Sequence, residues 1–268
     1  MTILTSLLSA VRHPLLVVLL ILSPRVAAEG CFDNRFCLSV SNDSDRPQLK
    51  VTNTSTLPVV LTVYSDKLAE GHHVTAALHG KASQVLGPVT HADKFWNSMR
   101  VRWTPGRLDA RHNPDVHYAS PLQPVGDYKI VQGFNGNYSH SGASRYAVDF
   151  AAPVGTPVFA ARGGVVIATK ADGRKGGPSR KLAKHANYVA ILHEDGTTGE
   201  YYHLKYQGVE VSRGDSVARG QLIGYSGNTG FSSMPHLHFG VYVAKPHGKY
   251  QSVPITFQPS QLQRRLTD

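Results

Sequence analysis

Cysteine is nearly absent from this chain of 268 residues: only Cys31 and Cys37 occur. Two thiols alone make a poor zinc site, and the histidines lie far from them in sequence. The helical His-Glu-x-x-His arrangement is missing too, so a metal site built on histidine would have to be assembled from strands and loops. Acids are few beside bases, 18 Asp and Glu against 28 Lys and Arg, giving a formal charge of +10. That balance attracts anionic surfaces such as membranes, acidic wall polymers and nucleic acid. No aromatic-interleaved basic motif accompanies the charge, so nucleic acid is not expected as a partner. Arg174, Lys175, Arg180, Lys181 and Lys184 do cluster, but among Gly177, Pro178 and Ser179, which reads as a solvated loop. There is no internal repeat and no low-complexity block. No long segment of helical period interrupts the second half of the chain, whereas glycine (25) and proline (16) are plentiful. A mostly β, turn-rich protein is expected.

Long apolar runs are missing as well. The unbroken run Leu15 to Leu22 follows Arg12 and His13 and precedes Ser23-Pro24-Arg25 and the small-residue segment Val26-Ala27-Ala28. It is short against the roughly 20 residues needed to cross a bilayer. The layout is that of a secretory signal peptide over residues 1–28, with Glu29 as the first mature residue. Ala28-Glu29-Gly30 ahead of Cys31 is a poor lipoprotein signal. Residues 1–28 hold two arginines and no acid, so the mature chain keeps a charge of +8. Export to an oxidising compartment in turn favours a disulfide between Cys31 and Cys37, a local staple of the mature N-terminus.

Residues 29–122 read as a separate β-sandwich-like module. Gln48 to Thr52 alternates as a half-buried strand should, Val59 to Tyr64 makes the next strand, and Met99 to Trp103 alternates again. His72 and His73 are adjacent and would face opposite sides of a strand, a surface pair and not a ligand pair. The stretch Arg111 to Val125, with Pro114, Pro121 and Pro124, reads as a connection. A second domain, 126–257, is dense in short strands: Pro157–Ala160, Gly164–Ile167, Tyr188–Leu192 and Glu200–Tyr202, separated by glycine-marked turns. The tail 258–268 contains a candidate short helix at 261–266.

Chemistry concentrates in Met234-Pro235-His236-Leu237-His238-Phe239. On a strand, His236 and His238 share one face while Leu237 and Phe239 bury the other. Imidazole both ligates zinc and moves protons near neutral pH, so a metal-dependent hydrolytic site is the first expectation. Asp149 lies between Val148 and Phe150 in an apolar strand, where a lone carboxylate is costly unless paired or metal-bound. His140 precedes it in a Gly/Ser-rich turn able to fold back toward it. His193, on a strand end beside Glu194, reads as structural.

His140 with Asp149, Ala151-Ala152-Pro153-Val154-Gly155-Thr156-Pro157-Val158, Tyr202-His203-Leu204, Gly214 to Gly224, Gly227-Asn228-Thr229-Gly230 and His236-Leu237-His238-Phe239 occur in that order. Together, over roughly residues 126–245, they resemble the M23 peptidase family, the lysostaphin-like zinc endopeptidases of bacterial cell walls. The resemblance implies a compact antiparallel β core with a groove over zinc. It implies His140, Asp149 and His238 as ligands and His203 and His236 as catalytic residues, with peptidoglycan stem or cross-bridge peptides as substrate. It places the protein in the bacterial periplasm or cell wall, where the basic charge suits anionic envelope surfaces. One departure stands out. The usual ligand histidine lies four residues before the aspartate, and that position here is Arg145; His140 lies nine before it. The longer Ser-His-x-Gly insertion resembles a variant of the family. No glutamate accompanies the ligands as a base, which leaves His203 or His236 for the proton. Asn187 and His185 are candidates for the groove wall, Asn187 equally for capping a turn.

Two other readings compete. One is a wall-binding or hydrolase-activating protein with an inactive peptidase fold. The other is a lipoyl- or biotinyl-carrier domain, suggested by Gly164-Val165-Val166 and Val211 to Gly224. A carrier needs a modifiable lysine at a hairpin tip, and neither Met-Lys-Met nor Asp-Lys-Ala occurs.

Overall fold

The computed structural model describes residues 29–41, 46–123 and 128–258. The expected signal peptide (1–28) and the tail beyond residue 258, with its candidate helix, lie outside the described residues. The chain is mostly β, as its turn-rich composition requires.

Seven strands form the N-terminal module: β1 (Glu29–Phe32), β2 (Phe36–Ser41), β3 (Gln48–Asn53), β4 (Val59–Tyr64), β5 (His73–Leu78), β6 (Ser83–Pro88) and β7 (Arg100–Pro105). They make a four-stranded sheet, β1-β2-β3-β6, and a three-stranded sheet, β5-β4-β7. Phe36, Leu38, Leu49 and Val51 from the first sheet meet Val59, Leu61 and Val63 from the second. Phe95, on the single helix α1 (Ala92–Ser98), joins the same core. This is the sandwich-like arrangement expected. Cys31 faces Cys37 across the β1–β2 hairpin and is bonded to it. His72 and His73 are both exposed.

The second domain is built on one large sheet. Its strands are β8 (His117–Tyr118), β9 (Ile130–Gln132), β10 (Val148–Ala151), β11 (Pro157–Phe159), β12 (Gly164–Lys170) and β13 (Gly176–Gly177). There follow β14 (Asn187–Leu192), β15 (Thr198–Val209), β16 (Ser216–Val217), β17 (Leu222–Ser226) and β18 (Gly230–Phe231). Last come β19 (His236–Lys245), β20 (Lys249–Val253) and β21 (Thr256–Phe257). The sheet runs β16-β12-β14-β15-β19-β10-β9, antiparallel throughout, with β17 also pairing β15 and β20 also pairing β19. Val148, Phe150, Val166, Val189, Ile191, Tyr201, Leu237 and Phe239 fill its core. Within the proline-rich stretch before it, Tyr118 and Leu122 are fully buried in this second core.

The two modules abut. Leu57 packs on Ile167, Ala168 and Ala190 of the large sheet. The Arg35 guanidinium donates to the Ile167 carbonyl at 3.0 Å. At the other end His247, in the β19–β20 turn, sits 2.6 Å from the Tyr64 hydroxyl and donates its backbone N–H to Thr62 Oγ1.

Candidate active site

Three adjacent strands set the site. In the β10–β19 ladder Asp149 stands opposite His238 and Ala151 opposite His236. In the β15–β19 ladder Tyr202 stands opposite His238. The alternation along β19 sends Leu237 and Phe239 into the core and both histidines to the other face, as their spacing requires.

His140 arrives from the loop before the 3-10 turn Gly142–Ser144, and its Nε2 lies 3.0 Å from Asp149 Oδ1. His238 Nδ1 lies 2.8 Å from the same oxygen and 3.3 Å from His140 Nε2. All three residues are buried. Arg145, four before Asp149, is exposed, with its guanidinium over the Tyr146 ring. The longer spacing therefore still brings an imidazole to the aspartate.

The donor set suits zinc. Ligands held tetrahedrally at roughly 2.0–2.1 Å from the ion stand roughly 3.3 Å from one another, close to the three separations above. The tautomers suit it as well. His140 Nδ1 faces the Gly133 carbonyl at 2.8 Å, so its N–H is spent there and Nε2 is free to ligate. His238 Nε2 faces the Tyr242 hydroxyl at 3.0 Å, which leaves Nδ1 free. Gln132 donates to Asp149 Oδ2 at 3.0 Å, occupying the second carboxylate oxygen. Burial alone would raise the Asp149 carboxyl, but hydrogen bonds from His140 and His238 reverse this and hold it well below the usual carboxylate range. Burial likewise opposes a charged His140, yet the bond to Asp149 outweighs it and the imidazole pKa is raised.

His203 and His236 stand beside this triangle, their rings 4.5 Å apart, and His236 Nε2 lies 3.8 Å from Asp149 Oδ2. Each donates Nδ1–H to a backbone carbonyl, His203 to Thr229 at 2.7 Å and His236 to Met234 at 2.8 Å. A neutral ring so anchored carries its lone pair on Nε2. Burial, with repulsion from His236 and His238, pushes His203 down to about 3. Burial lowers His236 also, with Asp149 working the other way.

A local irregularity turns His203 toward the groove. Tyr202 pairs with Tyr188 and Leu204 with Asn187, so His203 is an extra residue with no partner on β14. Its φ is +67, in the left-handed region. Strict alternation would send position 203 into the core beside Tyr201. The bulge instead puts Tyr202 and His203 on one face. Asn187 does not line the groove: its side chain bonds both backbone groups of Gly173 and the Leu204 carbonyl, capping that turn. His185 is not among the groove-lining residues either. His193 is buried, donates to the Gly163 carbonyl and is pushed down to about 4 by burial, a structural histidine.

Gln132 and Tyr242 carry no signal in the sequence, whereas Thr229 lies in the Gly227-Asn228-Thr229-Gly230 motif. Gln132 and Tyr242 hold a site residue with their side chains, and Thr229 does so with its backbone carbonyl. The groove above the site measures about 550 Å³. Among the described residues Asp149 is the sole acid that lines it.

Fold and site thus define an antiparallel β domain with a His/Asp/His triangle that could hold a metal ion and two further imidazoles beside it. Residues 143–252 match the model of Peptidase family M23. The peptidoglycan DD-endopeptidase ShyA of Vibrio cholerae serotype O1 is 37% identical over 143 residues, 52% of this chain and 30% of that one. The glycyl-glycine endopeptidase ALE-1 of Staphylococcus capitis is 39% identical over 100 residues, 37% of this chain and 25% of that one. The chain thus spans less than a third of these curated relatives. The solved structure of the antimicrobial peptidase lysostaphin from Staphylococcus simulans aligns at 31% identity over 51% of each chain, with a TM-score of 0.37 that decides nothing about fold.

Proposed function

We propose that the protein is an exported zinc metalloendopeptidase that hydrolyses peptide bonds in the stem or cross-bridge peptides of bacterial peptidoglycan. In this reading residues 1–28 are a cleaved signal peptide, 29–122 an N-terminal module and 126–257 the peptidase domain. The protein then works in the periplasm or cell wall. The Cys31–Cys37 bond and the basic charge support that compartment, and the named activities of the M23 relatives support the substrate class.

The observation that carries the proposal is the convergence of His140, Asp149 and His238 on one point with His203 and His236 beside them. It also counts against an inactive wall-binding fold. His140 Nε2, Asp149 Oδ1 and His238 Nδ1 would hold the ion. Zinc bound there supplies Lewis acidity toward an amide carbonyl and brings the pKa of water to roughly 7. Among the described residues no glutamate lines the groove, so the proton falls to the imidazoles. Neutral at neutral pH, His203 and His236 each present Nε2 to the groove. The ring that accepts the proton of the attacking water on Nε2 becomes the imidazolium that returns this proton to the departing amine. Their Nδ1 bonds to fixed carbonyls keep both rings aimed without an acidic partner.

The test is incubation of purified mature protein with defined muropeptides, with and without a chelator, read by mass spectrometry. Cleavage that zinc restores after chelation is expected, and fragment masses identify the bond. Cleavage indifferent to the chelator, or a mature chain that takes up no zinc, overturns the proposal.

A further inference from the structure

We infer that the groove selects peptides with a free carboxylate close to the scissile amide, and that Arg180 and Lys184 read that carboxylate. This rests on the peptidase reading and narrows its substrate class.

One wall of the groove is the 3-10 turn Arg180–His185, which contributes Arg180, Ala183 and Lys184. Its position is fixed by backbone. β13 pairs in parallel with β18, Gly176 beside Gly230 and Gly177 beside Phe231. Gly230 sits at φ +82, where a side chain's Cβ would come within 2.5 Å of the Ala186 Cβ. Only glycine lets β18 lie this close to the end of the basic turn. The result brings the Arg180 guanidinium 5.1 Å from the Phe231 ring centroid. Phe231 in turn stacks on Tyr138 from the His140 loop, 5.5 Å apart and 20° from parallel. Arg180 is therefore placed at the groove by a stacked aromatic pair.

The charges there are not cancelled. Four bases elsewhere among the described residues are paired with acids, Lys67 with Asp66, Arg107 with Asp109, Lys170 with Asp172 and Arg162 with Asp195, and most others in this basic chain are not. Among the described residues neither Arg180 nor Lys184 has a salt bridge or a side-chain hydrogen bond. The one acid among the described groove residues, Asp149, is engaged by His140, His238 and Gln132. Two cations, one of them a planar fork suited to a carboxylate, thus face the same space as the hydrolytic centre. An uncharged peptide gains nothing from them. A carboxylate on the residue beside the scissile bond gains charge-assisted hydrogen bonds and is drawn in from solution.

The experiment compares two stem-type peptides that are identical except for one free carboxylate against its carboxamide. The zinc-loaded wild-type protein should favour the acid by about tenfold or more in kcat/KM, carried mainly by KM, and less at high salt. In R180Q/K184Q the ratio should fall toward one. In K181Q, on the same turn but outside the groove, it should stay as in wild type. Equal turnover of both peptides by wild type, or a double variant that slows both in proportion, overturns the inference while leaving the peptidase reading intact. If neither peptide is cut, binding of the fluorescently labelled pair to metal-free protein separates the two failures. A preference for the acid that R180Q/K184Q loses supports the carboxylate assignment without hydrolysis, and equal binding overturns it.

Discussion

The Tyr242 hydroxyl lies 3.0 Å from His238 Nε2, on the side of the imidazole away from Asp149. The two residues are four apart on β19 and share its groove face. Gly240 between them makes the contact feasible, because a Cβ there would stand 2.7 Å from the Tyr242 ring. Tyr242 OH also lies 3.4 Å from Ser144 Oγ as a donor, so it accepts from His238. The phenol thus fixes which nitrogen of His238 faces the ligand triangle.

Tyr242→Phe removes that acceptor and keeps the ring. Zinc affinity should fall by roughly 10–100-fold, with the circular dichroism spectrum unchanged. Competition with a chromophoric chelator measures it. Unchanged affinity would show that Tyr242 does not orient the ligand.

Two variants decide between the spacings of the upstream histidine. His140→Ala should reduce the zinc content of stripped and reconstituted protein to background. Arg145→Ala, which alters the position four before Asp149, should leave it as in wild type. Metal analysis by mass spectrometry reads both, and retention of zinc in the His140 variant would reassign the ligand.

His203→Ala and His236→Ala should each keep zinc yet slow peptide hydrolysis by roughly 10²–10⁴-fold, the range for general acid–base groups. Loss of zinc in either would move that residue from proton transfer to metal binding.

Glu200 gives a pH signature of its own, one step behind Tyr202 and Tyr242. Burial pushes its carboxyl up to about 7, although Tyr202 and Thr198 donate to it. The fold therefore favours the protonated form. The stability this contributes is complete below the ordinary value of 4.5 and is lost as pH rises through about 7. Glu200→Gln should thus stabilise the protein at pH 8 by up to about 3 kcal/mol relative to its effect at pH 4. Urea denaturation at the two pH values tests this; an equal effect at both would mean that the carboxyl titrates normally.

Much of the fold was legible because strand patterning is local. Val59 to Tyr64 forms β4 as expected, and the histidine pair shares one face of β19 because a strand allows nothing else. The five candidate site residues converge, though their spacing alone could not show that His140 spans the insertion. Gln132 was not legible, since its tie to Asp149 depends on which strand edge β9 joins. Tyr118 and Leu122 were missed as core because single apolar residues between prolines leave no periodic signal. The bulge at His203 was hidden too, because an extra residue in a ladder is defined by the partner strand and not by its own sequence.

That left-handed residue sets a conflict between ruggedness and chemistry. Holding a non-glycine side chain at such a φ costs about 1–3 kcal/mol, and the β14–β15 ladder would be more regular with one residue fewer. Removing a residue between Tyr202 and Leu204 would repair the pairing and erase an imidazole from the groove in one step. Selection for heat tolerance alone would drift toward that repair, and only selection for turnover would keep the kink.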